Sequence, residues 1–163
     1  PNIVAHSRQV MRVSLAIADH LQSGVSVNRD LVVAAALLHD ITKTRSLETH
    51  ERHDASGGAL LREMGFARTA EIVEQHVLLR DVDLDGGLEE REIVCYADKR
   101  VRHDTVVTLE ERIQDLIARY GDSEEIRRLI RVNSSQVFAL ERKIAGFMTV
   151  GIEEAIRSQE DAG

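Results

Sequence analysis

Two carboxylates and three imidazoles stand where the sequence pattern calls for apolar side chains. His6 falls on the stripe Ile3, Val10, Val13, Ile17 and Leu21. His39-Asp40 closes the apolar run Leu31–Leu38, His76 follows Ile72 and Val73, and Asp98 shares a side with Val94, Ala97 and Val101. Burying an unpartnered carboxylate costs several kcal/mol. A shared divalent cation removes that cost, because it neutralises the carboxylates and takes imidazole nitrogens as ligands. Ligation by His and Asp without thiolate favours Mn, Fe, Co, Ni, Zn or Mg over a structural cysteine–zinc site. His-Asp occurs three times, at His39-Asp40, His53-Asp54 and His103-Asp104. Only the first ends a long apolar run that would carry both side chains into a bundle. Asp54 and the His103-Asp104 pair read as plain structure, and His20 and His50 carry no assigned role.

The elements that must position these groups read as helices. Proline occurs only at residue 1, and apolar residues recur at three- and four-residue spacing almost throughout. The spacing predicts a first helix over Ile3–Leu21. Asn28 caps a second that runs through Leu38, and its apolarity on nearly all sides marks it as the central buried helix. A polar loop follows at about 44–52, then a helix over His53–Met64 that Gly65 stops. The next helix spans Ala67–Leu79, with Ile72, Val73, His76 and Val77 inward. Asp81–Gly87 reads as an acidic surface loop. Further helices are predicted at Glu89–Arg102 and, from the capping box Thr108–Glu111, to Tyr120. Asp122 or Ser123 caps a long final helix with the stripe Ile126, Ile130, Val137, Leu140, Ile144, Phe147, Met148 and Ile152. That stripe could bury on the bundle or against a second copy in a homodimer. Ser158–Gly163 reads as frayed.

Composition narrows the function. The chain has 163 residues, a net charge of −7 and five aromatic side chains. The acidic balance argues against broad electrostatic binding to nucleic acid, and the few aromatics argue against a base-stacking platform. No apolar run approaches the roughly 20 residues of a membrane span. Pro1-Asn2-Ile3-Val4 lacks the pattern of a signal peptide. The single Cys95 cannot form an internal disulfide and fits a reducing compartment, so the expected location is cytoplasmic.

The order and context of the polar residues resemble those of the HD-domain superfamily of metal-dependent phosphohydrolases. The resemblance rests on Val4-Ala5-His6-Ser7, Leu37-Leu38-His39-Asp40-Ile41-Thr42-Lys43 and Tyr96-Ala97-Asp98-Lys99. Gly57-Gly58-Ala59-Leu60-Leu61, Ile72-Val73-Glu74-Gln75-His76 and Thr108-Leu109-Glu110-Glu111-Arg112 are similar to the branch often called HDIG. It covers about residues 3–120. It implies an all-α fold, a compact helical bundle of about six to seven helices with a long C-terminal helix. Residues 1–120 would form the metal-binding domain, and 121–163 a C-terminal helix packed on it. Two positions depart from the pattern. Thr42 stands where that branch commonly has glycine, and Gln75 where some members have a second histidine.

The resemblance also implies one or two divalent ions. Asp40 would bridge them, with His6, His39 and Asp98 on one and His53 and His76 on the other. On the residues alone, His53 could instead cap its helix or face solvent, and His76 could be a satisfied core histidine. Metal-activated water would then attack phosphorus, because a divalent ion lowers the pKa of bound water towards about 7. Asp40 and Lys43 are the candidate catalytic residues. Lysine is scarce, and Lys43 and Lys99 each lie within three residues of a proposed ligand. With Arg80 they are the candidate phosphate contacts. The expected substrate is a nucleotide or other small phosphate compound, cleaved at a phosphomonoester, phosphodiester or phosphoanhydride bond. The alternative is a non-catalytic module that senses nucleotides or signals and retains the metal site.

Overall fold

The structure, a computed structural model, describes residues 2–161. Among these residues the chain forms nine helices and one short hairpin. The helices are α1 (Ile3–Ala18), α2 (Arg29–Leu38), α3 (Lys43–Thr49), α4 (His53–Glu63), α5 (Ala67–Val73), α6 (Glu90–Lys99), α7 (Leu109–Tyr120), α8 (Glu124–Phe147) and α9 (Ile152–Asp161). The hairpin pairs β1 (Val101–Arg102) with β2 (Thr105–Val106) in antiparallel register. The all-α architecture predicted from the sequence is therefore correct, and the hairpin is an addition to it. No helix is long and apolar enough to cross a membrane among the described residues.

Local chemistry sets most boundaries. Asn2, Asn28, Thr108 and Ser123 each accept a hydrogen bond from a first-turn amide, at 3.0–3.2 Å. These contacts satisfy amides that a helix start leaves without partners. Gly65 ends α4 at a φ of +88°, which a side chain would disfavour.

The centre of the bundle is α6, not α2. Residues Glu92–Asp98 are all buried. α6 packs against α1, α2, α5 and α8. α2 buries Val32, Ala35 and Ala36, whereas Leu37 on its other side is 40% exposed. Each aliphatic side chain that α6 inserts, Ile93 and Val94 among them, contributes about 1.5–3 kcal/mol by leaving water. Two polar pins hold neighbours on α6. Lys143 of α8 donates to both Glu92 oxygens at 2.7 and 2.9 Å and to the Asp83 carbonyl at 2.7 Å. Arg100 donates to the Val107 carbonyl, the Tyr96 hydroxyl and Glu153 of α9, at 2.6–2.7 Å.

Four other expectations are corrected. The polar stretch after Lys43 is helical to Thr49, with Ser46 buried. α5 stops at Val73, so His76 and Val77 lie in the turn beyond it; His76 points inward, but Val77 is exposed. The final helix is two helices, broken at 148–151. Its break is tertiary in origin: the Gln22 and Thr149 amides donate to the Phe147 and His20 carbonyls at 2.9 and 2.8 Å, which ties the end of α1 into the gap. The expected fraying from Ser158 is not observed as far as Asp161, and residues 162–163 lie outside the described residues.

Candidate metal centre

His6 from α1, His39 and Asp40 from the end of α2, His53 from the start of α4, His76 from the turn after α5 and Asp98 from α6 meet at one place. Close packing of α4 on α5 brings His53 to His76. A side-chain carbon added at Gly57 would lie 3.2 Å from Val73 and 3.4 Å from Thr42. Thr42, at the departure from the HDIG pattern, is buried. It donates its hydroxyl to the His53 carbonyl at 2.9 Å and meets the Ser56 hydroxyl at 2.9 Å.

Backbone carbonyls set the imidazole tautomers. Nδ1–H of His6 donates to the His103 carbonyl at 2.7 Å, that of His39 to Ala36 at 2.8 Å, and that of His76 to Val73 at 2.7 Å. A carbonyl can only accept, so in all three rings Nδ1 carries a proton, and the neutral form of each ring has its lone pair on Nε2. Those Nε2 atoms converge on the carboxylates. His6 Nε2 lies 3.1 Å from Asp98 Oδ1, and His39 Nε2 lies 3.6 Å from the same oxygen and 3.8 Å from Asp40 Oδ2. Asp40 Oδ1 faces the other way, 3.2 Å from His53 Nε2 and 3.6 Å from His76 Nε2. The two Nε2 atoms of His53 and His76 are 3.2 Å apart.

This donor set fits a cation. His39 is fully buried, yet its Nε2 has no hydrogen-bond partner among the described residues. Two groups of three could hold an ion, His6 with His39 and Asp40, and Asp40 with His53 and His76. Asp40 belongs to both, with one oxygen turned to each side. Electrostatics point the same way. Burial lowers the His39 pKa to about 4, so the ring is neutral and able to ligate at neutral pH. Burial opposes ionisation of Asp40 and Asp98 too. It is outweighed at Asp40 by His53 and His76, and at Asp98 by Lys99 and His6, so both carboxyls are held well below the usual range. At His6, burial is outweighed by Asp98, and the pKa is raised.

The model of the HD domain matches residues 3–117. The chain belongs to the HD-domain family. Over 43 residues, 25% of this chain, it is 46% identical to a dihydroneopterin 2′,3′-cyclic phosphate phosphodiesterase of Methanocaldococcus jannaschii. The match spans 17% of that protein's length. No solved structure matches the chain.

In this HD-domain chain the cluster opens into a cavity of about 500 Å³ between the bundle and the α7–α8 pair. Lys43 lines it, with Nζ 3.4 Å from both ring nitrogens of His53. Lys99 lines it as well, but its ammonium donates to Asp98 Oδ2 at 2.7 Å and to the His76 carbonyl at 3.0 Å. That leaves Asp98 Oδ1 to face His6 and His39. Arg80 is exposed and does not line the cavity; its carbonyl accepts from Arg91 at 2.9 Å. The acidic loop Asp81–Gly87 stays outside the cavity too, as expected.

Sequence reasoning missed four contributors. His103 sits in the hairpin turn at a φ of +57° and serves through its backbone carbonyl, which leaves no side-chain signal. Thr42 serves as the link described above, and only its unusual position marked it. Arg112 and Arg119 line the cavity from α7, both paired to Asp115 at 2.9 Å. Their spacing of three and four residues puts all three groups on one helix face, a signal that was legible.

Proposed function

We infer that this chain is a metal-dependent phosphohydrolase acting on a nucleotide or other small organic phosphate. The observation that carries this reading is the common orientation of three imidazoles. His6, His39 and His76 each donate Nδ1–H to a backbone carbonyl and turn Nε2 toward Asp40 and Asp98, beside a cavity large enough for an organic phosphate. His6, His39 and Asp98 would hold one ion, His53 and His76 a second, with Asp40 shared. A divalent ion so held supplies a water acidic enough to give hydroxide near neutral pH and offsets phosphate charge.

The chain's own side chains bind and orient. Asp40 presents one oxygen to each group of imidazoles. Lys99 fixes Asp98 so that a single oxygen faces the cluster, which makes it a positioning residue. Lys43 reaches into the cavity from the first turn of α3, placed to contact non-bridging phosphate oxygens, where charge develops as the bond breaks. The Methanocaldococcus jannaschii relative is named for a cyclic phosphodiester, which supports including phosphodiesters among the bonds cleaved.

A panel of nucleotides, cyclic nucleotides and dinucleoside polyphosphates, each with Mn, Fe, Co, Ni, Zn and Mg, tests this reading. Release of phosphate or alcohol is expected with at least one pair, and its loss in Asp40→Ala and His39→Ala. Metal bound without turnover on any member would make the chain a sensing module instead. Activity and metal content unchanged in both variants would show that the site lies elsewhere.

A further inference from the structure

The phosphohydrolase reading leaves most of the cavity unexplained, because a phosphate group at the cluster would occupy a small part of about 500 Å³. The remainder is bounded by α7 and α8. On α8, residues Ile130, Asn133, Ser134 and Val137 follow i, i+3, i+4, i+7 spacing and form one face, and all four line the cavity. This is where the apolar stripe of α8 is interrupted by two polar residues. Ile113 and Leu116 of α7 line the same space. At the rim, Leu47 and Tyr120 are each 57% exposed. A concave apolar surface continuous with a polar cluster is the usual form of a small-molecule site.

We propose that the α7–α8 wall binds a nitrogen heterocycle carried by the phosphate substrate, and that Asn133 reads the edge of that ring. This rests on the phosphohydrolase reading and names its substrate class. A heterocycle has two apolar faces to lie between Ile113, Leu116, Ile130 and Val137, and one edge of mixed donors and acceptors. The Asn133 carboxamide offers one donor and one acceptor side by side, the complement of such an edge. Ser134 is less suited, since its hydroxyl already donates to the Ile130 carbonyl at 2.6 Å. A sugar phosphate would instead set hydroxyl groups against apolar side chains that cannot hydrogen-bond, which is costly. α8 begins at Glu124, beyond the residues 3–117 that the family model matches.

The test compares binding of the four nucleoside 5′-monophosphates with that of ribose 5-phosphate, by calorimetry on the purified chain. At least one nucleotide should bind about tenfold or more tightly than ribose 5-phosphate. Asn133→Leu should weaken that nucleotide about tenfold, the loss expected of one good hydrogen bond, and leave ribose 5-phosphate and metal content unchanged. Asn133 is exposed, and thermal melting should show the variant folded as the parent is. Equal binding of ribose 5-phosphate and all four nucleotides, binding of none, or an Asn133→Leu variant that discriminates as the parent does would overturn the proposal. The two readings fail separately. Nucleotide discrimination without turnover removes the phosphohydrolase and keeps the wall; turnover of nucleotides and ribose 5-phosphate at equal kcat/KM removes the wall and keeps the phosphohydrolase.

Discussion

Thr42 is the position at which physical reasoning and the HDIG pattern diverge most clearly. Replacing it with valine keeps the shape and removes the hydroxyl. That hydroxyl does not cap α3, although Thr42 occupies the N-cap position. It crosses to the start of α4, donating to the His53 carbonyl at 2.9 Å and meeting Ser56 Oγ at 2.9 Å. Thr42 is 4% exposed, so water does not replace the lost partner in the variant. The His53 carbonyl keeps its place in the hydrogen bonding of α4, so the variant loses one hydrogen bond, which costs about 0.5–1.5 kcal/mol. A central value of about 1 kcal/mol lowers Tm by roughly 2–4 °C in a chain of this size. The link also joins the turn that carries Asp40 to the residue that carries the fourth imidazole. Loss of such a support weakens metal binding by about tenfold or more. Thr42→Ser keeps the hydroxyl and loses one methyl, so it should retain metal affinity and cost about 1 kcal/mol or less. Thermal unfolding together with Mn and Zn titration separates the two variants. Stability within about 0.5 kcal/mol of the parent and unchanged metal affinity in Thr42→Val would refute the assignment.

Four further outcomes are expected. Asp40→Asn should reduce bound metal at both groups of imidazoles, measured by elemental analysis, because its two oxygens face different groups. Lys43→Met should lower kcat on a phosphate substrate by about 10²-fold with metal content unchanged; a fall in metal content would make it a support and not a phosphate contact. Lys143→Met strands the buried Glu92 carboxylate and should cost about 3–5 kcal/mol in denaturant unfolding, most of it recovered in the Lys143→Met/Glu92→Gln pair. His103→Gly should keep metal affinity, because the carbonyl and not the ring holds His6, whereas His103→Val should lose about 1–2 kcal/mol through its left-handed backbone; equal melting of the two would refute that.

How much of this was legible depends on where the signal lies. His6, His39, Asp40, His76 and Asp98 stand out because each breaks an apolar pattern, and a polar group on a buried face demands a partner. His53 breaks no such pattern; only its place in the HD-domain order marked it. The helices marked by a cap or a glycine stop, α1, α4 and α7, are close to their predicted spans. α3 was read as loop because Lys43–Thr49 contains a single large apolar residue, Leu47, and so has no periodicity to detect. The 101–106 hairpin has strands of two residues, too short for alternation to register. The break between α8 and α9 was invisible for the opposite reason: helical apolar spacing runs through Phe147, Met148 and Ile152, and contacts from residues 20–22 override it. Apolarity also misplaced the centre. Leu31–Leu38 is more uniformly apolar than Glu90–Lys99, yet α6 is the more buried because Glu92 and Asp98 are paired with Lys143 and Lys99 and can be covered.

The same pairing bears on how a chain of net charge −7 would receive the anionic substrate proposed for it. Its three lysines all lie against partners inside the fold: Lys143 on Glu92, Lys99 on Asp98 and Lys43 beside His53. The exposed cations are therefore all arginines. At the cluster the carboxylates of Asp40 and Asp98 stand with the ammonium groups of Lys43 and Lys99, so these four groups sum to a formal charge of zero before any ion binds. Each divalent ion held there would add two positive charges in a partly desolvated place, where they would act more strongly than the dispersed surface carboxylates, which water and salt screen within about 10 Å. On the proposed reading, attraction of a phosphate to this cavity would be a local property set by the loaded cluster. High salt should lower the rate of phosphate capture only modestly, while exchange of Asp98 for asparagine should disturb it by releasing Lys99 and unseating His6 together.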